Sequence, residues 1–292
     1  MSRMTLTALC LALGVALGGC ARETGAGSVE RAAAKAALPA PEVLVVTETA
    51  GFHHDSIPAA VRAIRAVARA SRSYRVTVLP HARELTPARL RHASAVVFLL
   101  TSGELPLSSA GKRNLLRFVR AGHGLVGFHS ASDTFHSWPA YVRALGGEFA
   151  NHPHRGVGRV IVEDRTHPAT RRLPRAFRID EEFYFFKTNP RRRAHVLARL
   201  DVASFGGSAH EDRPIVWCRR EGRGRVFYDA LGHNSTTWRD SRQRALLAGG
   251  VAWALALRGA RAGCRSRSRP PLSPPWGSPG RRRTPRRCCA GG

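Results

Sequence analysis

Cysteine is scarce where a disulfide framework would need it. Of the six cysteines, Cys10 and Cys20 fall in an N-terminal apolar segment and Cys264, Cys288 and Cys289 lie past residue 257. That leaves Cys218, inside the strand-like IVWC, which is read as a small buried hydrophobe. A disulfide-stapled fold is therefore not expected, and no CxxC pair marks a structural zinc site. The GxSxG frame of a serine hydrolase and the HExxH helix of a zinc protease are both missing. After the N-terminus no apolar run reaches bilayer length. Lysine is nearly absent, with only Lys35, Lys112 and Lys187, and Asp+Glu number 20 against 47 Lys+Arg.

The resulting net charge of +27 is unevenly placed. Residues 258–292 hold ten Arg and no acid, and residues 1–41 hold a net +2, so +15 remains on residues 42–257. Arginine suits phosphate, but a nucleic-acid partner needs a clustered basic face and a reading element. Here the arginines are scattered over helix faces and loops, so no nucleic acid is expected.

Residues 1–20 read as an export signal: Arg3, a short apolar stretch over Thr5–Leu17, then small residues. Leu17-Gly18-Gly19-Cys20 resembles the lipobox of bacterial lipoproteins, which implies a secreted protein at the outer face of a membrane, anchored by lipid on Cys20. Residues 21–41 form a flexible tether. Residues 258–292, rich in Pro, Gly, Ser and Arg, cannot bury a core and are expected to be disordered.

Residues 42–257 carry the fold. Short β-branched runs at Glu42–Thr47, Tyr74–Leu79, Ala95–Leu100 and Leu125–Phe128 are separated by helical periodicity at Ser56–Ala70 and Ser108–Ala121. The alternation predicts βαβ units around a mostly parallel sheet with helices on both faces. From Gly156 to Leu200 the pieces RVIVED, RIDEEFYFF and HVLARL predict an antiparallel β extension. Then IVWCRREGRGRVFYDAL reads as a hairpin turning at Glu221–Gly224, and Arg242–Leu257 as the closing helix.

Chemistry gathers after the strands. VLVVT runs into His53 and His54, VVFLL into Glu104, GLVGF into His129 and Asp133, and RVFYDAL into His233. Ligands of open α/β sheets collect at the carboxyl ends of the strands, so these segments predict one pocket. His129 holds the strand-to-helix elbow where a hydrolase would place Ser or Cys. It is thus expected as base or ligand, with Asp133 sharing its face if a helical turn follows. His152 lies in a stiff HPH loop, while Glu182 and Tyr184 alternate with phenylalanines on a strand. Trp238 is expected to grip a sugar face. A divalent Zn²⁺ or Mn²⁺ would find ligands among these groups, with His53, His129 and His152 as the leading trio.

GFHHDSIP (51–58), GLVGFHSASD (124–133), GGEFANHP (146–153), DEEFY (180–184) and RPIVWCRREGRGRVFYDALGH (213–233) together resemble the trehalose-utilisation, or ThuA-like, family. The resemblance implies a flavodoxin-like sheet of the class I glutamine-amidotransferase type without that fold's catalytic cysteine. It also implies a part in bacterial disaccharide catabolism beside oxidoreductases that make 3-keto sugars. On that basis a small sugar is the expected partner. The pocket residues are His53, His54, His129, Asp133, His152, Glu182 and His233, with Tyr184, Trp238 and Glu104 beside the substrate. Catalysis is expected from His129 or His53 with Asp133 or Glu182. An enzyme on a disaccharide or 3-keto-glycoside, a non-catalytic sugar-binding lipoprotein and a metal-dependent hydrolase all stay open.

Overall fold

The computed structural model describes residues 40–260 and 263–264. The expected export signal, the expected tether up to residue 39 and most of the expected tail lie outside the described residues. No helix among the described residues is long and apolar enough to cross a membrane.

The chain opens as forecast. The β-branched run Glu42–Val46 is β1, and α1 spans Ile57–Ser71, burying Ile57, Ala60, Ile64 and Ala68 at helical spacing. There follow β2 (Arg75–Leu79), α2 (Pro87–His92), β3 (Ala93–Leu99), α3 (Ser109–Arg120) and β4 (Gly124–Phe128). After α4 (Pro139–Leu145) the chain turns β-rich: β5 (Phe149–Asn151), β6 (Arg155–Val162), β7 (Ala176–Glu182), β8 (Phe185–Phe186) and β9 (His195–Asp201). The hairpin β10 (Arg213–Glu221) and β11 (Gly224–Asp229) and the helix α5 (Ser241–Ala254) complete it.

Nine strands form one sheet in the order β2-β1-β3-β4-β11-β10-β9-β6-β7, with β5 and β8 pairing separately. The pairs from β2 through β11 are parallel; those from β11 to β7 are antiparallel. The β-rich middle is therefore an extension of the same sheet, not a separate layer. β4 shows that helices cover both faces. A Cβ at Gly124 would meet Ala254 of α5, whereas one at Gly127 would meet Leu145 of α4, and residues three apart on a strand point oppositely. Cover on both sides explains why β3 and β4 are apolar without alternation. Gly250, one of two glycines in α5, has the same origin: a Cβ there would lie 2.3 Å from the Phe227 ring, so the helix can pack this closely only on glycine.

One expectation changes. Cys218 is not a lone buried thiol: it is disulfide-bonded to Cys264, which ties the segment after α5 to β10 across 46 residues of sequence. The cysteines sit far apart in the chain, and only the packing of α5 against the sheet brings them together. Ser56 stands at the N-cap of α1 without capping it. Its hydroxyl instead donates to the carbonyl of Gly232, 2.9 Å away and 176 residues on.

Candidate functional site

Four strand ends deliver the site. β4 ends at Phe128, and His129 enters a 3-10 turn through His129–Asp133 at the elbow expected from the sequence, with φ 49° in the left-handed region. Non-glycine residues there are strained by about 1 kcal/mol or more. The Tyr228 hydroxyl donates to the His129 carbonyl at 2.6 Å and holds the turn in place. His54 arrives from the loop after β1, and His233 from the loop after β11. Glu182 ends β7, reaching in from the antiparallel extension.

One ligand atom from each of His54, His129, Glu182 and His233 lies within 4.8 Å of all the others. Glu182 Oε2 is 3.5 Å from His129 Nε2 and 3.0 Å from His233 Nδ1. The three imidazole rings stand nearly perpendicular to one another, at 80–83°, with centroids 4.7, 5.0 and 5.4 Å apart. Edges, not faces, thus converge on the carboxylate.

The protonation states sharpen this picture. His129 Nδ1 lies 2.8 Å from the Ala230 carbonyl, which can only accept, so Nδ1 carries the proton. Nε2 is then the ring atom that faces Glu182. Burial, with His129 and His233 as neighbours, lowers His54 to about 3, so it is neutral at pH 7. Burial alone would raise Glu182, but His129 and His233 outweigh it and hold the carboxyl well below its usual range. Both His129 Nε2 and His233 Nδ1 are buried without a hydrogen-bond partner. Buried ring nitrogens without a well-formed hydrogen bond are costly, and imidazole nitrogens gathered with a carboxylate are the donor types that a divalent cation takes. The donor set fits Zn²⁺ or Mn²⁺.

A carboxyl group that sequence reading passed over supports the cluster from below. Glu181 is fully buried, and every partner it has donates to it. These are Gly232 N–H (3.0 Å), His233 N–H (3.2 Å), the Thr237 hydroxyl (2.5 Å) and Glu182 N–H (3.0 Å). It pins the His233 loop and the strand end bearing Glu182 together. The only forewarning was the EE doublet in DEEFY. Gly232, at φ 130°, must be glycine, since a Cβ would lie 2.6 Å from the Trp238 ring.

The remaining candidates fall in several places. His152 Nε2 is 3.4 Å from Glu182 Oε1 on the solvent side, and Tyr184 packs on His129 with centroids 4.2 Å apart. His53 is exposed and pairs with Thr49 at 3.1 Å, so it stands outside the four-residue cluster; its neighbour His54 is the one turned inward. In the metal trio His53 and His152 therefore give way to His54 and His233, with Glu182. Asp133 does not orient His129. It belongs to an outer network in which His136 bridges Asp133 and Glu148, each at 2.8 Å, and Lys187 reaches Glu148 at 2.6 Å. Glu104 accepts from the Ser137 N–H and hydroxyl. Trp238 is buried, its indole N–H spent on the Gly232 carbonyl at 2.9 Å, and offers no face to a sugar.

A second buried acid makes the site's floor sensitive to pH. Burial, aided by Glu181, raises Asp229 to about 7 against the hydrogen bonds from Leu231 and Gln243. The native state then holds a proton that the unfolded chain has released, so stability falls as pH rises from 3.8 toward 7. Asp229→Asn removes that dependence. Its stability advantage over the parent is expected to widen by about 2 kcal/mol between pH 5 and pH 8 in urea unfolding; a constant difference would show that Asp229 does not titrate there.

The family model for trehalose utilisation (ThuA) matches residues 42–254. Among solved structures, a ThuA-like protein from Bacteroides uniformis superposes with a TM-score of 0.64 at 22% identity, covering 76% of this chain and 94% of that one. Another from Parabacteroides merdae gives 0.61 at 18% identity, covering 74% and 90%. These two likenesses concern the fold. A search of curated proteins returns no significant match.

Proposed function

We propose, from the premise that this chain belongs to the trehalose-utilisation (ThuA) family, that it is a carbohydrate-processing enzyme centred on His54, His129, Glu182 and His233. These four residues would hold a divalent cation. The observation that carries the reading is the convergence on one ionised carboxylate of buried ring nitrogens from His129 and His233, neither of which makes a well-formed hydrogen bond. A bound Zn²⁺ or Mn²⁺ supplies a Lewis acid for a sugar carbonyl or hydroxyl oxygen.

The chain's own residues do the rest. The Nδ1–H bond to Ala230 keeps the His129 ring in one tautomer and orientation. Tyr184, raised well above its ordinary value by burial and by Glu182, keeps its proton; it closes the inner wall of the site and does not serve as a base. His152, half exposed beside Glu182, is placed to carry a proton between substrate and solvent. The substrate we favour is a disaccharide or a 3-keto-glycoside. The same reading puts the protein outside the cytoplasm, with lipid on Cys20 as anchor; the Cys218–Cys264 disulfide supports an oxidising compartment.

Protein purified without a metal-affinity tag tests this. It should carry about one equivalent of Zn or Mn and convert trehalose or 3-keto-trehalose, followed by NMR, with activity lost to chelator and regained on metal. Failure to take up either metal, together with no product from any oxidised or unoxidised disaccharide, would sink the enzyme reading. Sugar binding without product would leave a binding protein.

A further inference from the structure

Phe52 is exposed where a hydrophobic side chain has no structural reason to be. With Val157 it is one of two exposed large hydrophobics among the described residues, and 62% of it is open. Scattered apolar residues on a surface are ordinary, but the position of this one is not. Its ring meets His54 edge-on at 4.7 Å between centroids and lies nearly parallel to His233 at 6.2 Å. It therefore borders two of the four residues of the centre.

Nor is Phe52 on a loose loop. Its carbonyl accepts from the Ser102 hydroxyl at 2.7 Å, Ala50 N–H donates to the Ser102 carbonyl at 2.8 Å, and Thr49 bridges Ser102. A Cβ on Gly51 would already touch Gly103 at 3.4 Å, so the two loops are packed backbone to backbone. The fold thus holds an aromatic ring out in water beside a polar centre, in a fixed position. Asn234, which follows His233, is bonded to Arg155 and to the Asp180 carbonyl, and His152 stands on the solvent side of Glu182. The residues around the centre thus combine an exposed apolar ring with hydrogen-bonding groups. That combination matches a pyranose, which has a C–H face and a rim of hydroxyls, and suits a fully polar or fully apolar ligand poorly.

We propose that Phe52 is the stacking platform for a pyranose ring, forming the substrate subsite beside the His54–His129–Glu182–His233 centre. The proposal rests on the carbohydrate reading above and specifies where the sugar lies. Phe52 binds and orients; it takes no part in proton transfer.

The test uses the full-length, metal-loaded protein with α,α-trehalose as probe, measured by calorimetry and by saturation-transfer NMR. Phe52→Ala should weaken trehalose binding about tenfold, the loss expected from one uncovered ring face. It should also remove transfer to the sugar C–H protons while keeping the parent's metal content. Phe52→Tyr should restore both, because the aromatic face returns. Parent-like trehalose binding by Phe52→Ala would overturn the platform and leave the carbohydrate reading intact. Loss of metal from Phe52→Ala would mean that the ring props up the centre, which also overturns the proposal. If the parent binds neither trehalose nor any other sugar offered, the carbohydrate reading itself fails and the platform with it.

Discussion

His129→Ala is expected to lower turnover of the sugar substrate about a thousandfold or more and to abolish stoichiometric metal uptake. His129 contributes one of the four converging ligand atoms, and with Nδ1 bonded to Ala230 it has no second nitrogen free to act as a base, so the loss expected is that of the metal's Lewis acidity, several kcal/mol of transition-state stabilisation. The fold should survive. Alanine at φ 49° meets about the same backbone strain as histidine. The lost contacts with His54 and Tyr184 are partly offset, because a buried nitrogen without a partner disappears too. His129→Asn is the companion variant, since asparagine tolerates the left-handed region better but cannot place a nitrogen where Nε2 stands. Circular dichroism and urea unfolding check the fold, and elemental analysis and kcat/KM check the site. Parent-like activity in a folded variant would remove His129 from the mechanism and, with it, the metal assignment.

Glu181→Gln should cost about 3 kcal/mol of stability and weaken metal binding roughly 10–100-fold, although Glu181 contributes no ligand atom. All four of its partners are donors, two on each oxygen. An amide turns one oxygen into NH₂, so two buried donors lose their acceptor, at about 1–3 kcal/mol each. Either way round, the damage lands on the loop bearing His233, and one orientation also frees the Glu182 N–H. Supporting groups around metal ligands have effects of this size on affinity. Urea unfolding and a zinc competition titration give the two numbers. Lost stability with unchanged zinc affinity would make Glu181 a fold residue only, and no change in either would mean that the His233 loop holds itself.

How much of this was legible in the chain depends on the range of the forces involved. The parallel half of the sheet was, because buried strands and amphipathic helices write a local pattern; β1, β3, β4, α1 and α3 lie within a few residues of their expected places. The short α2 and α4 were not seen, each being too brief to show a period. The elbow at His129 could be read from strand followed by polar turn, and its positive φ agrees. Of the neighbours His53 and His54, sequence could not say which turns inward, since adjacent loop residues differ only by backbone direction. Asp133 was expected to face His129, but its partner proved to be His136, three residues on.

The sequence by itself determined the architecture and the set of polar groups available at the strand ends, because hydrophobic periodicity is a short-range property of the chain. Only the tertiary structure decided which groups meet. Glu182 reaches His129 and His233 because the antiparallel extension continues the same sheet. Glu181 and Ser56 fasten the Gly232–His233 loop from distant positions. Hydrogen bonds between such remote groups depend on a fraction of an ångström, which side-chain packing sets and no local spacing records.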